Sequence, residues 1–154
     1  MKLQMASQLA LYALFELTKA PGAQLSVAEI GERYGVSTHH LAKVMHTLGR
    51  ARLVRAVRGV GGGYQFSGNA KRITLLDVVQ LFGDFLDAPE PAAANGARAE
   101  VEALRDVGKE IDDVTRATLG SITLATMLNL IERRRRDPAP GATPAQLEPR
   151  IESS

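Results

Sequence analysis

The sequence predicts a mainly α-helical protein with one small β-hairpin. Three observations carry this expectation. Apolar residues recur at helical spacing in several separate runs, most clearly at Leu41, Val44, Met45 and Leu48. Helix punctuation separates those runs: Pro21-Gly22, Ser26 with Glu29, and Thr74 with Asp77. One pair of strand-like runs, Leu53–Val57 and Tyr64–Phe66, flanks the loop Arg58-Gly59-Val60-Gly61-Gly62-Gly63.

Residues 3–20 read as a helix with a broad apolar surface (Met5, Leu9, Tyr12, Phe15, Leu17), ended by Pro21-Gly22. Ser26 caps the next helix. Glu29, three residues on, completes a box in which each side chain accepts a backbone N–H of the first turn. Val27, Ile30 and Tyr34 share one side of it, and Gly35-Val36-Ser37 is a turn. The third helix runs to about Ala51. Its stripe Leu41, Val44, Met45, Leu48 faces the core, which turns His39, Ala42, Lys43, His46 and Arg50 outward. That outward face carries donors and no acid.

The Gly-rich loop, with four glycines in five positions from Gly59 to Gly63, reads as a flexible, open connection between the strands. Residues 73–85 read as a fourth helix capped by Thr74, with Leu76, Val79 and Phe82 as its buried face. The segment Asp87-Ala-Pro-Glu-Pro-Ala-Ala-Ala-Asn-Gly96 is a linker. From Arg98 to about Leu119 a long helix carries a narrow apolar stripe, Val101, Leu104, Val107, Ile111 and Val114, on otherwise charged faces. Such a stripe suits pairing with a second copy; the other reading folds the helix back on its own chain. A last helix spans residues 123–136, where Arg133 to Arg136 suit the negative end of a helix dipole. Prolines 138, 140, 144 and 149 predict a disordered tail. The expected organisation is a head over residues 1–86, a loop over 87–97, a long and a terminal helix over 98–136, and a tail over 137–154.

With 154 residues and a 45% hydrophobic share, the chain can bury the core of one compact domain with small attachments. No run of 18 apolar residues is present, so no membrane span is expected. The N-terminus lacks the apolar stretch and cleavage site of a secretory signal, and a cytoplasmic location is the default expectation. Cysteine is absent, which excludes disulfides, a catalytic thiol and every thiolate-ligated metal or iron–sulfur centre. The net charge of +2 divides unevenly: +7 over residues 1–72, −7 over 73–132 and +2 over 133–154. A basic head on an acidic body suits a nucleic-acid partner.

Helix, turn, two-faced helix and basic hairpin together make a winged helix-turn-helix, the unit that places one helix in the DNA major groove and a loop beside it. Base reading falls to Thr38, His39, His40, Ala42 and Lys43 in the first exposed turns of the third helix, with His46 a turn further along. Phosphate contacts fall to Lys2, Arg50, Arg52 and Arg55, and to the helix starts at Ser26 and Ser37, where both serines are read as caps. Arg58 at the root of the loop is placed to enter a narrow minor groove, while Gly59, Gly61 and Gly62 let the backbone approach phosphates. The three histidines have Lys43, Val44 and Arg50 at i+4, none of which ligates readily, so no metal site is expected. Neither a Ser/His/Asp order nor a phosphate loop is present: the glycine run lies between strands and no helix follows it, so no enzyme is expected. The alternative reading is a winged-helix protein–protein module without its own operator.

The stretches Val36–Val44 and Val57-Arg58-Gly59-Val60-Gly61-Gly62-Gly63-Tyr64, with Met1-Lys2-Leu3, Ile73–Val79 and Ile122-Thr123-Leu124, resemble the bacterial winged-helix repressors that include the iron–sulfur regulator IscR and the nitric-oxide sensor NsrR. The resemblance covers residues 1 to about 130. It implies a homodimer, joined through the long helix, that binds a pseudo-palindromic operator as a repressor. In that family three cysteines around the preceding loop commonly hold an iron–sulfur cluster; here the loop reads Ala92-Ala93-Ala94-Asn95-Gly96-Ala97-Arg98-Ala99. Positions 8 and 9, near which some members place a non-cysteine ligand, are Gln8 and Leu9. Two readings stay open: a member that senses something else, or an engineered form in which alanines replace cysteines.

Overall fold

The computed structural model describes residues 3–83 and 96–138. The expectations for Lys2, for most of the 87–97 loop and for the tail from residue 139 lie outside the described residues.

Helix α1 (Met5–Thr18) is the centre of the fold. Leu9, Ala10, Leu11, Ala13, Leu14, Phe15 and Leu17 are all buried, so the helix is apolar on nearly every side and has to be surrounded. It packs on three later helices and on the sheet. Two residues expected on its apolar surface are exposed instead. Met5 lies in the first turn, beyond the core, and Tyr12 covers only one ring face, stacked on Tyr34 with centroids 4.7 Å apart.

One carboxylate sits within this apolar helix. Glu16 is buried and accepts hydrogen bonds from Lys19, Arg33 and the Tyr34 hydroxyl, the last at 2.7 Å. Burial pushes its pKa up, but the bonds from Lys19 and Tyr34 and the charges of Lys19 and Arg33 outweigh that and leave it lowered. The Tyr34 phenol is raised, by burial first and by Glu16 next. A lowered carboxyl pKa contributes stability that is present above its unfolded value and lost as pH falls through the folded one. Glu16→Gln should therefore cost about 1–2 kcal/mol at neutral pH, a figure held low by the half-exposed Arg33. The same variant should flatten the acid side of a melting-temperature profile. An unchanged acid limb would show that Glu16 is not the group responsible.

Helices α2 (Val27–Tyr34) and α3 (Thr38–Arg50) form the helix-turn-helix. Ser26 and Glu29 make the expected capping box. Gly35, at φ 61°, ends α2: its N–H bonds Glu32 O and the Val36 N–H bonds Gly31 O, the paired bonds of a Schellman end. Leu41, Val44, Met45 and Leu48 are all buried. The Ser37 expectation needs correction. Ser37 holds the cap position of α3, but its side chain makes no cap hydrogen bond.

Strands β1 (Gln24–Leu25), β2 (Val54–Val57) and β3 (Gly63–Phe66) form an antiparallel sheet in the order β1-β3-β2. The hairpin was expected; β1 was not. It pairs Gln24 with Gln65 and Leu25 with Tyr64. Gly63 is what admits it, because a Cβ there would lie 2.5 Å from Leu25 O.

Helix α4 (Leu75–Val79) is shorter than expected and continues as a 3-10 turn, Gln80–Phe82. Thr74 and Asp77 do form a capping box. The box sets a register that buries Leu75, Val78 and Val79, while Leu76 and Phe82 are only half-buried. Gly83, at φ 113°, departs from helical geometry.

Helix α5 (Arg98–Ser121) runs 24 residues, about 36 Å. Leu119 is its one buried residue. Helix α6 (Leu124–Arg136) follows, with Thr123 as its cap. The two threonine caps are tied together: Thr74 and Thr123 form an isolated antiparallel bridge, with Leu75 N–H to Ile122 O at 2.8 Å and Leu124 N–H to Ile73 O at 2.9 Å. This bridge fixes the foot of α5 to the head.

Candidate nucleic-acid interface

The outward face of α3 is open. Thr38, His39, His40, Ala42, Lys43, His46 and Arg50 are all exposed, and the helix contains no acid. Ser26 is half-buried and Ser37 exposed at the starts of the two helices. His39 and His40 meet edge to face at 6.1 Å. Among the described residues no group of three or more His, Cys, Asp or Glu side chains is placed to hold a metal ion.

The end of α3 is unusual. Arg52 N–H bonds Gly49 O and Leu53 N–H bonds Leu48 O, each at 3.0 Å, which is a second Schellman end. Its left-handed residue is Arg52, at φ 61°, the only non-glycine residue with positive φ among those described. Ser67 Oγ donates to Arg52 O at 2.9 Å and Ser67 N–H to Leu53 O at 2.9 Å, pinning the segment to the end of β3. A non-glycine residue in this conformation costs on the order of 1–2 kcal/mol. A cation is thus held at a position where glycine would be easier.

Between α3 and the sheet lies a cleft of about 530 Å³, lined by His46, Arg50, Arg52, Arg55 and Tyr64 among others. The structure therefore brings three of the expected phosphate-binding arginines to one cleft beside the exposed face of α3. Arg58 is exposed where β2 ends, and the wing turn lies beyond it.

That turn is closed by a backbone hydrogen bond. Gly62 N–H bonds Gly59 O at 2.9 Å, and Gly61 has φ 73°. Positive φ at the third of four residues is the signature of a type II turn, which selects glycine there. Val60, the second residue, is fully exposed at the tip. Gln24 of β1 donates through Nε2 to Gly61 O, reaching the turn from outside the hairpin. Val60 and Gln24 were not among the expected site residues. Val60 was legible as a lone apolar residue in a glycine loop; Gln24 was not, because its role depends on a strand two residues long.

The stripe on α5 is exposed. Leu104 is 74%, Val107 53%, Ile111 54% and Val114 67% accessible, and Val101 is half-buried. The stripe does not fold back on the described residues of its own chain.

Residues 3–130 match a family model described as Rrf2, iron-dependent transcriptional regulator. The chain belongs to the Rrf2 family. A relative from Rhodopseudomonas palustris, named as the HTH-type transcriptional regulator BadM, is 44% identical over 88% of this chain and 86% of its own. CymR, the global cysteine regulator of B. subtilis, shares the fold at a TM-score of 0.65 and 26% identity, covering 84% of this chain and 98% of its own. IscR of T. potens does so at 0.61 and 26%, covering 92% and 94%. Membership of the Rrf2 family makes the protein a DNA-binding transcriptional regulator and not an enzyme. Its winged helix-turn-helix is the fold of the family. No helix of the described residues is long and apolar enough to cross a membrane.

The iron in the family's description meets a donor set that does not fit a thiolate-ligated cluster. The chain has no cysteine, and its three histidines all lie on α3. Histidine imidazoles on an outward helix face do not substitute for three converging thiolates.

Proposed function

We propose that this Rrf2-family protein is a homodimeric, sequence-specific repressor that reads a pseudo-palindromic operator and does so without a thiolate-ligated cluster. The observation that carries this reading is the exposed, acid-free face of α3 beside a cleft lined by Arg50, Arg52 and Arg55. Thr38, His39, His40, Ala42 and Lys43 read base edges in the major groove. Arg50, Arg52 and Arg55, with Lys2 and the helix starts at Ser26 and Ser37, hold phosphates. Arg58 enters the minor groove, with Gly59, Gly61 and Gly62 giving the backbone room. The stripe of half-buried Val101 and exposed Leu104, Val107, Ile111 and Val114 supports dimerisation along α5, since its spacing of three and four residues is that of a helix-pairing seam. The head over residues 1–86 then binds DNA and residues 98–136 join the copies, in the cytoplasm.

The test is selection of random duplex DNA on the purified protein, followed by sequencing of the bound pool. The expected result is a pseudo-palindrome whose half-sites lie about 10 base pairs apart. An unenriched pool would overturn sequence-specific binding by the cluster-free protein and would favour a protein partner.

Arg52 supplies a second check, because its two roles have opposite signs. Arg52→Gly should raise stability by roughly 0.5–1 kcal/mol, since glycine adopts the left-handed conformation without penalty. It should also weaken DNA binding and lower the salt slope by about 1. Melting and salt-titrated binding read the two effects separately. A stabilised variant with undiminished binding would remove Arg52 from the DNA surface.

A further inference from the structure

A row of three long polar side chains crosses the sheet, one from each strand. Arg55 on β2 faces Gln65 on β3, and Gln65 faces Gln24 on β1, in direct register. Arg55 donates to Gln65 Oε1 through Nε at 3.1 Å and through Nη2 at 2.8 Å. Gln65 Nε2 donates to Gln24 Oε1 at 3.5 Å and to Gly22 O at 3.4 Å. Gln24 Nε2 donates to Gly61 O in the wing turn. Each amide thus accepts on its carbonyl side and donates on its nitrogen side, so donors all point the same way, from the guanidinium to the turn.

Two consequences follow from the chemistry of this row. A neutral amide holds the Arg55 guanidinium, so its orientation is set while its full charge stays available; a carboxylate at position 65 would orient it equally well and cancel the charge. The same row grips the carbonyl of Gly61, so the wing turn, the arginine and β1 are bound into one body. Ordering a long arginine and a glycine-rich turn before DNA arrives removes entropy that binding would otherwise have to overcome.

We infer that Gln24 and Gln65 are positioning residues of the DNA surface: through the row Arg55–Gln65–Gln24–Gly61 they aim Arg55 at a backbone phosphate and hold the wing turn in its binding geometry. This rests on the reading of α3 and the wing as the DNA face.

The test is a salt titration of binding to mixed-sequence duplex DNA, because phosphate contacts do not depend on sequence. The full-length protein is compared with Gln24→Ala, Gln65→Glu, Arg55→Ala, the double variant Gln65→Glu/Arg55→Ala, and Arg58→Ala. Gln65→Glu should weaken binding about tenfold and lower the salt slope by about 1, as loss of one phosphate contact does. On the Arg55→Ala background it should add nothing further. Gln24→Ala should weaken binding severalfold, speed hydrogen exchange at the wing-turn amides and leave the melting temperature in place. A Gln65→Glu loss that persists without Arg55 would show a general charge effect and overturn the inference, as would wild-type binding by both glutamine variants while Arg55→Ala is impaired. If Arg55→Ala and Arg58→Ala also bind as wild type, the DNA face itself is misassigned and the inference falls with it.

Discussion

Substituting Glu at both Leu104 and Ile111 should convert the protein to a monomer in sedimentation and reduce operator affinity by on the order of a hundredfold or more, since a monomer loses the linked second half-site. These two residues lie seven apart on α5, two turns along one seam, and each exposes more than half of its surface in the single chain. A seam of this kind gains stability only when a partner covers it. Two carboxylates facing two more across the seam would meet unfavourable burial and like-charge repulsion. Folding of the head should survive, because Leu119 alone among α5 residues is buried. Retention of the dimer would place the interface elsewhere. A monomer with full operator affinity would break the link between the seam and DNA binding.

The second large effect is expected at Arg58. Arg58→Ala should weaken specific binding by about 1–3 kcal/mol, roughly 5- to 150-fold. Arg58→Lys should recover only part of that, because an ammonium keeps the charge but loses the planar fork. The closed turn Gly59–Gly62 sharpens this expectation. A backbone already closed into a turn beside Arg58 has less main-chain freedom to lose on binding than an open loop. Equal binding by wild type and Arg58→Ala would remove the wing from the specific contact.

The features legible in the sequence were those written in local chemistry. Ser26 with Glu29 and Thr74 with Asp77 announced two capping boxes, and both are present. The stripe Leu41, Val44, Met45, Leu48 announced the buried side of α3, and with it the exposed side. What escaped depends on distant partners. Strand β1 is two residues long and has no periodicity of its own; it exists because Gly63 lets its backbone approach β3. On α4 the expected Val79 is buried, but Leu75 and Val78 are buried in place of Leu76 and Phe82, which pack half-buried against the core; a five-residue helix offers too few repeats to reveal its face. Ser37 matched the pattern of a cap without making the bond. The left-handed backbone of Arg52 carried no signal, because arginine is not a residue that advertises that conformation.

The Thr74–Thr123 bridge makes α5 a lever anchored at one end. A rotation of about 5° at the foot of a rod about 36 Å long carries the far end by about 3 Å. That is close to the rise of one base pair, about 3.4 Å. In a dimer joined along α5, the distance between the two recognition helices is therefore an angular quantity, set by a few backbone hydrogen bonds between Ile73–Leu75 and Ile122–Leu124. For the proposed dimer on a two-half-site operator, the half-site spacing would be set at that joint, away from the face of α3 proposed to read DNA.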